Sequence, residues 1–213
     1  MFRKTLIFSA KVLMIYSLFL PFACHAQHTK ASDSSASKAN LSLSVDGFFT
    51  TSYINTDPIK EKSSDSAGVL ASFRYSFARF ATFELNYGHA ADTQYFRSTT
   101  TNAAVHTGAH EVTGAYVLTL PIRDRIHGFV LAGGGIMQFN PMSSGTTIGG
   151  TQSQNKPTIL YGAGMDYELS RHIGLRLQYR GLLYATPSYL VEALRTNGDQ
   201  AVAEPAFGVV YGF

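Results

Sequence analysis

From residue 41 to the last residue, apolar and polar side chains alternate at every second position, in one segment after another. The clearest segment is IGLRLQYRGLL, in which Ile173, Leu175, Leu177 and Tyr179 are separated by small, polar or charged residues. Because successive side chains of a strand point to opposite faces, this period of two predicts strands with one apolar and one polar face. Eight such segments occur. Each is close to the roughly 9–11 residues that a tilted strand needs to cross a membrane.

The connections between these segments alternate in length, which places every long connection on one side of the sheet. Both chain ends then lie on the side of the short turns, as an even number of strands requires. We therefore predict an all-β fold, an eight-stranded antiparallel up-and-down transmembrane β-barrel over residues 41–213. The long connections lie near 55–66, 90–104, 140–156 and 186–200, and the short ones at 78–80, 121–125 and 170–172.

The alternative is a soluble eight-stranded barrel or sandwich, in which the apolar face would point inward. Two features favour the membrane barrel. The apolar faces are rich in Phe, Tyr and Leu, with several aromatic residues near strand ends, as in the aromatic girdles of membrane barrels. Only 15% of the residues are charged, which is low for a surface that is exposed to water throughout.

The first 26 residues differ from the rest of the chain and resemble a secretory signal peptide. Arg3, Lys4 and Lys11 precede the apolar run VLMIYSLFLPF, and small residues follow it. The alternative of a membrane anchor is disfavoured, because the run is shorter than a membrane-spanning helix needs. The alternative of a lipoprotein signal, with Cys24 as the first residue of the mature chain, is disfavoured by the Pro and Phe that precede Cys24. We predict a signal peptide at 1–26, a flexible periplasmic linker at 27–40 and the barrel domain at 41–213.

Charge and cysteine content exclude several classes of function. The signal peptide holds three of the 17 basic residues and none of the 14 acidic ones, so the mature chain is balanced at 14 of each. The mature chain has no clustered excess of Lys and Arg, which nucleic-acid binding would require. Cys24, the only cysteine, leaves with the signal, so the mature chain cannot form disulfides. The spacing of His and Cys predicts no metal site, and we expect no cofactor.

The polar faces of the strands carry charges that the predicted turns bring into register. In the hairpin around Arg79, a three-residue turn with Phe77 opposite Ala81 places Arg74 opposite Glu84. The hairpin around Arg171 likewise places Asp166 opposite Arg176. A charge in a lumen is costly unless it is paired, so we expect an interior network that plugs the barrel. The whole predicted network is Asp46, Arg74, Glu84, Glu111, Asp166, Glu168, Arg176, Arg180 and Glu204.

At this point the chain resembles the eight-stranded outer-membrane barrel family of the OmpA transmembrane domain, OmpX, Ail and Opa-type proteins. The resemblance covers Leu41 to Phe213, and YGAGMDYELSRHIGLRLQYRGLLY is similar to the late hairpin of many such barrels. It implies export to the cell outer membrane and contact with outer-membrane lipid and lipopolysaccharide. The OmpA peptidoglycan-binding domain is not matched. We expect a monomer without nucleic-acid partners.

The terminal stretch FGVVYGF is similar to the C-terminal signature of that family, which ends in Phe after alternating aromatic residues. In the family, this end is read by the outer-membrane barrel assembly machinery, and periplasmic chaperones escort the unfolded chain. The resemblance implies the same assembly signal in this chain, carried by Phe207, Val209, Tyr211 and Phe213.

Three functions remain open on the sequence. The first is a non-enzymatic surface or envelope protein whose long extracellular loops recognise or adhere to a partner. The second is a pore for small solutes or ions. The third is an enzyme that modifies lipid or lipopolysaccharide, for which His106 and His110 beside Glu111 are the nearest candidates. We favour the first and predict no catalytic residues; its candidate contacts in the second and fourth loops are Tyr95, Phe96, Tyr189, Leu190 and Val191.

Overall fold

The computed structural model describes residues 38–54, 60–98, 102–196 and 198–213, without the side chains of 51–54. The predicted signal peptide and nearly all of the predicted linker lie outside the described residues. The first strand begins at Ala39, so the last two residues of the predicted linker, 39 and 40, belong to this strand.

Nine β-strands and one short 3-10 helix make up the described part of the chain. The helix, Glu192–Leu194, lies in the last long connection. No helix among the described residues is long and apolar enough to cross a membrane. The strands are β1 (Ala39–Ile54), β2 (Lys60–Ser63), β3 (Ser66–Ala78), β4 (Ala81–Arg97), β5 (Asn102–Arg123), β6 (Ile126–Pro141), β7 (Gln154–Glu168), β8 (Ile173–Ala185) and β9 (Asp199–Gly212).

The strands form one closed antiparallel barrel. The order β2-β4-β3-β1-β9-β8-β7-β6-β5 is closed by pairing between β4 and β5, and β1 joins the last strand, β9. Strands β2 and β3 both pair with β4 and are two parts of one interrupted strand, joined through Ser64, whose N–H donates to Thr93 O at 2.9 Å. The predicted eight-stranded up-and-down barrel is therefore confirmed.

The register of both charged hairpins agrees with the sequence prediction. Arg74 lies opposite Glu84, and Asp166 lies opposite Arg176. The turn around Arg79 was predicted wrongly in detail: Ala78 lies opposite Ala81, and the register shifts between Ser76 and Ala78. A bulge adds one residue to a strand, so a two-residue turn plus a bulge gives the same parity as the three-residue turn.

The predicted long second connection at 90–104 is wrong. Strands β4 and β5 stay paired without interruption from Ala81 opposite Leu118 to Arg97 opposite Asn102, so that only residues 98–101 connect them. Large apolar residues become rare on the outer face beyond Tyr87, which made this stretch read as a loop. Its backbone nevertheless continues the hydrogen-bonded ladder as a hairpin that extends beyond the apolar band.

Large apolar side chains cover the outside of the barrel. They are about half-exposed along most strands, whereas the polar residues between them are buried. This outward apolar face is the one that a membrane barrel requires. The predicted assembly residues Phe207, Val209 and Tyr211 lie on this face in β9, and Phe213, the residue after β9, is also exposed. Strand β9 pairs with β1 from Asn40 opposite Gly212 to Ile54 opposite Asp199. Their role in assembly remains a prediction.

The end of the barrel with the long connections carries an ordered cap. We use the name cap for β2, the ends of β4 and β5 (91–97 and 102–108), and the connections 142–153 and 186–198. Connection 142–153 lies along the edge of β5, where Met142 N donates to His106 O at 2.8 Å and Thr147 N donates to Ala104 O at 2.9 Å. The cap is thus built from strand pairing and hydrogen-bonded loops.

Candidate functional site

The lumen nearest the short turns is filled by a chain of alternating charges, Glu84, Arg74, Asp166 and Arg176, here called the lower charge layer. Arg74 Nε donates to Glu84 Oε2, and Arg74 Nη1 donates to Asp166 Oδ2 at 3.2 Å. Arg176 donates two hydrogen bonds to the same Asp166, from Nε to Oδ1 at 2.7 Å and from Nη2 to Oδ2 at 2.8 Å. Such bidentate pairs are the strongest and most specific of charged contacts.

An aromatic ring supports this layer from inside the barrel. Phe129 on β6 lies with its ring centroid 4.0 Å from Arg74 Cζ and 5.5 Å from Arg176 Cζ. The negative face of an aromatic ring attracts a guanidinium group, and more strongly where water is excluded. Phe129 therefore offers the same ring to both arginines of the layer, which favours their charged forms in the lumen.

A second set of charges, the upper charge layer, lies farther from the short turns and consists of Asp46, Glu111, Arg180 and Glu204. Arg180 Nη2 donates to Glu111 Oε1 and lies 3.5 Å from Glu204 Oε2. Glu111 Oε1 also accepts a bond from Thr113 Oγ1 at 2.6 Å. One arginine thus pairs with two buried carboxyl groups, and the buried Asp46 lines the same small cavity as both of them.

Above the charges, the lumen is filled by apolar side chains, which the sequence analysis did not predict. They come from seven strands, β1 and β4 to β9, and every one of them is buried. Strand β6 shows why the pattern missed them: Leu131 and Met137 point inward while Val130 and Ile136 point outward, so both faces are apolar. The largest members of this apolar layer are Phe48, Phe96, Met137, Phe139, Leu160, Leu182 and Tyr184.

The fourth long connection closes the barrel mouth over this apolar layer. Tyr189 is fully buried, its ring meets Phe96 edge-on at a centroid distance of 6.4 Å, and its hydroxyl group lies 2.8 Å from Thr107 Oγ1. Gln154 Oε1 accepts bonds from the N–H groups of Ser188 and Tyr189 at 2.9 and 3.1 Å. Burial raises the pKa of the Tyr189 hydroxyl, so the group stays protonated and able to donate.

Eight of the nine predicted network residues lie inside the barrel, and Glu168 does not. Its side chain is 56% exposed at the short-turn end, where Glu168 Oε1 lies 3.1 Å from His127 Nε2. Its inclusion in the lumen network is therefore wrong. The alternation assigned it to the inner face correctly, but β7 ends at this residue and the side chain is already outside the lumen.

The predicted loop contacts divide into exposed and buried residues. Phe96 lies in β4 rather than in a loop, and both Phe96 and Tyr189 are fully buried, so neither is available to a partner. Val191 is half-buried against the apolar layer. Tyr95 and Leu190 are exposed, at 38% and 62%. Within the fourth connection, Tyr189 and Val191 thus pack onto the apolar layer, and this packing accounts for two of the five residues.

The residues considered for an enzyme do not come together. His106 and His110 lie on the outer face of β5, whereas Glu111 points into the lumen, because consecutive strand residues face opposite ways. His106 is bonded to Thr93 Oγ1 at 2.9 Å, and His110 to the hydroxyl of Tyr87 at 2.9 Å. The wall of the barrel separates the imidazoles from this carboxylate.

Comparison with known proteins agrees with this architecture. The barrel of OprG from Pseudomonas aeruginosa superposes with a TM-score of 0.58 at 11% identity, covering 84% of this chain and 97% of that one. Neisserial surface protein A (NspA) gives a TM-score of 0.52 at 11% identity, covering 81% and 97%. Identities this low establish only the shared fold. No curated protein sequence matches.

The model of one protein family matches residues 17–213, which includes every strand of the barrel. That match agrees with the outward apolar band, the closed β1–β9 seam and the ordered cap. Short turns of such barrels face the periplasm and long connections face the outside of the cell. The chain belongs to the family of the outer membrane protein beta-barrel domain.

Proposed function

We propose that the protein is a non-enzymatic surface barrel whose extracellular cap recognises an acidic polymer, such as a phosphorylated or sulfated saccharide. The observation that carries the proposal is a group of four exposed residues on the outer face of the cap, here called the basic patch: Lys60, Lys62, Tyr95 and Arg97.

Strand pairing fixes the spacing within the basic patch. Lys62 lies directly opposite Tyr95, and Lys60 lies directly opposite Arg97, so the four side chains form two cross-strand pairs on one face. Side chains of directly opposed residues lie close together. Glu61, between the two lysines, points to the inner face and is half-buried. The patch therefore presents three cations around one exposed aromatic ring.

Such a surface fits a ligand with repeated negative charge. Arg offers a planar fork of donors to a phosphate, sulfate or carboxylate group, and Lys supplies a point charge. The Tyr95 ring offers an apolar face against which a sugar ring can pack. Since the underlying strands are hydrogen-bonded, the patch loses little backbone freedom when it binds, which favours affinity.

The two charge layers and the apolar layer disfavour the alternative of a small pore. Arg176 and Arg180 are fully buried in the lumen, and the apolar layer and Tyr189 lie between them and the cell exterior. An eight-stranded barrel has room for little beyond its own side chains. We propose that the barrel serves as a rigid mount for the cap rather than as a channel.

Partners within the envelope are proposed on the same basis. The outward apolar band would contact outer-membrane lipid and lipopolysaccharide, as the half-exposed residues of β1 and β8 suggest. The C-terminal row of four outward residues that ends at Phe213 would be read by the assembly machinery. We propose a monomer, because the pairings β1–β9 and β4–β5 close the barrel on itself.

The basic patch is tested by the double variant Lys60→Gln/Lys62→Gln. With dextran sulfate as the probe, we expect the affinity of the purified barrel to fall roughly fivefold, since exposed ion pairs contribute about 0.5 kcal/mol each. Added salt should weaken wild-type binding more than binding by the variant. Affinity is measured by calorimetry.

The matched control is Arg195→Gln, which removes an extracellular cation far from the patch in sequence. Arg195 is 71% exposed and forms an ion pair with Glu192 at 3.7 Å. The affinity of this variant for dextran sulfate should equal that of the wild type. Equal loss in the control and the double variant, or equal binding of uncharged dextran, would contradict the proposal.

A further inference from the structure

Two histidines lie side by side on the outside of the barrel wall, just above the apolar band. His89 on β4 is directly opposite His110 on β5, and their ring centroids are 4.4 Å apart with an angle of 32° between the ring planes. Both side chains are half-buried. The two imidazole rings belong neither to the charge layers nor to the basic patch, and they lie on the membrane-facing side where the cap begins.

We propose that His89 and His110 bind a divalent transition-metal ion at the outer membrane surface. Imidazole nitrogens suit Cu²⁺, Ni²⁺ and Zn²⁺, whereas Mg²⁺ and Ca²⁺ prefer oxygen ligands. Two imidazoles in a directly opposed pair of an antiparallel ladder approach one ion without moving the backbone. Water would complete the coordination, since no cluster of three or more His, Cys, Asp or Glu suited to a metal occurs among the described residues.

The contacts of each ring leave a nitrogen for the metal. His110 Nδ1 lies 2.9 Å from the Tyr87 hydroxyl oxygen. In the tautomer that donates Nδ1–H to Tyr87, Nε2 of His110 is unprotonated and can coordinate an ion. His89 Nδ1 is buried and has no hydrogen-bond partner. A buried polar atom without a partner is costly, and a bound ion would satisfy it.

The outward residue that precedes His110 on β5 is a glycine, Gly108, so β5 places no side chain next to the two imidazole rings at this position. A Cβ at Gly108 would lie 3.7 Å from His89 Cε1 and 2.9 Å from the methyl group of Met142. Gly108 thus lets the side chain of Met142 lie next to His89.

The test is Cu²⁺ binding to the untagged, folded barrel in detergent, measured by calorimetry and by electron paramagnetic resonance. The account predicts one additional equivalent of Cu²⁺ in the wild type relative to the double variant His89→Ala/His110→Ala, with nitrogen couplings from two imidazoles. Binding by any other histidine persists in the double variant and is subtracted. Mg²⁺ in place of Cu²⁺ should show no such difference.

Two further variants sharpen the test. His106→Ala, which removes another outward histidine of the same strand, should bind as the wild type does. Tyr87→Phe should weaken binding roughly tenfold, as loss of a hydrogen-bond partner of a metal-bound histidine does. A heat-dependent gel shift verifies that each variant is folded. Equal Cu²⁺ uptake by wild type and double variant, or loss of the site in His106→Ala, would overturn the proposal.

Discussion

Replacing Arg180 by methionine is expected to destabilise the barrel by about 3–5 kcal/mol, the cost of leaving buried charges without their partner. Arg180 is the only cation of the upper charge layer and is fully buried. Its loss leaves the carboxyl groups of Glu111 and Glu204 facing each other in the lumen. Methionine has a similar side-chain volume, so the effect would come mainly from lost charge rather than from a cavity. The free energy of unfolding in urea measures it.

The matched control is Gln178→Met, two residues away on the same face of the same strand. Gln178 is also buried, and its side-chain amide has no hydrogen-bond partner. Its replacement should change stability by less than about 1 kcal/mol. Adding Glu111→Gln to Arg180→Met should restore part of the loss. The account is contradicted if Arg180→Met and Gln178→Met have equal effects, or if the added Glu111→Gln destabilises further.

Replacing Tyr189 by alanine is expected to release the fourth extracellular loop from the barrel mouth. Truncation of a buried aromatic residue costs about 3 kcal/mol or more, so local opening of the loop should rise by about two orders of magnitude. Trypsin cleavage after Arg195, which is exposed in this loop, reports the opening on intact outer-membrane vesicles. The barrel below should keep its heat-dependent gel shift.

Two neighbouring changes separate the causes. Leu190→Ala alters the next residue, which shares the left-handed backbone conformation (φ 60° against 52° for Tyr189) but is 62% exposed. It should change the cleavage rate by no more than about twofold. Tyr189→Phe removes only the bond to Thr107 and should increase cleavage roughly fivefold. If Leu190→Ala opens the loop as much as Tyr189→Ala, the buried ring does not hold the loop in place.

Alternation of apolar and polar residues predicted the barrel and its register because one face of each strand meets lipid and the other meets the lumen. That difference is largest in β8, where Leu175 and Leu177 flank the buried Arg176. Register followed from turn parity, so Arg74 was correctly placed opposite Glu84 even though the turn geometry differs. The alternation of residues and the parity of the turn therefore determine which residues face each other across a hairpin.

The apolar layer and the cap could not be predicted in the same way. In β6 the residues inside and outside are both apolar, as Leu131 and Val130 show, so the pattern carries no information on direction. In the hairpin of β4 and β5, the outer face no longer meets lipid and the alternation fades. The burial of Tyr189 depends on Phe96 and Thr107, which are distant in sequence and meet only in the folded cap.

The ion layers also explain how a closed barrel keeps one arrangement of its strands. Each arginine contacts carboxylates from other strands: Arg74 joins β3 to β4 and β7, and Arg180 joins β8 to β5 and β9. A slip of one residue would turn these charges toward lipid, which is far more costly than the lumen. The layers therefore specify the register as well as fill the interior.

Conductance of the purified barrel in a planar lipid bilayer tests whether the lumen is closed to ions. With a general porin in the same bilayer as the positive control, the account predicts no discrete current steps from this protein at any voltage that the porin tolerates. Reproducible single-channel steps from the folded barrel would contradict a lumen closed by the two charge layers and the apolar layer.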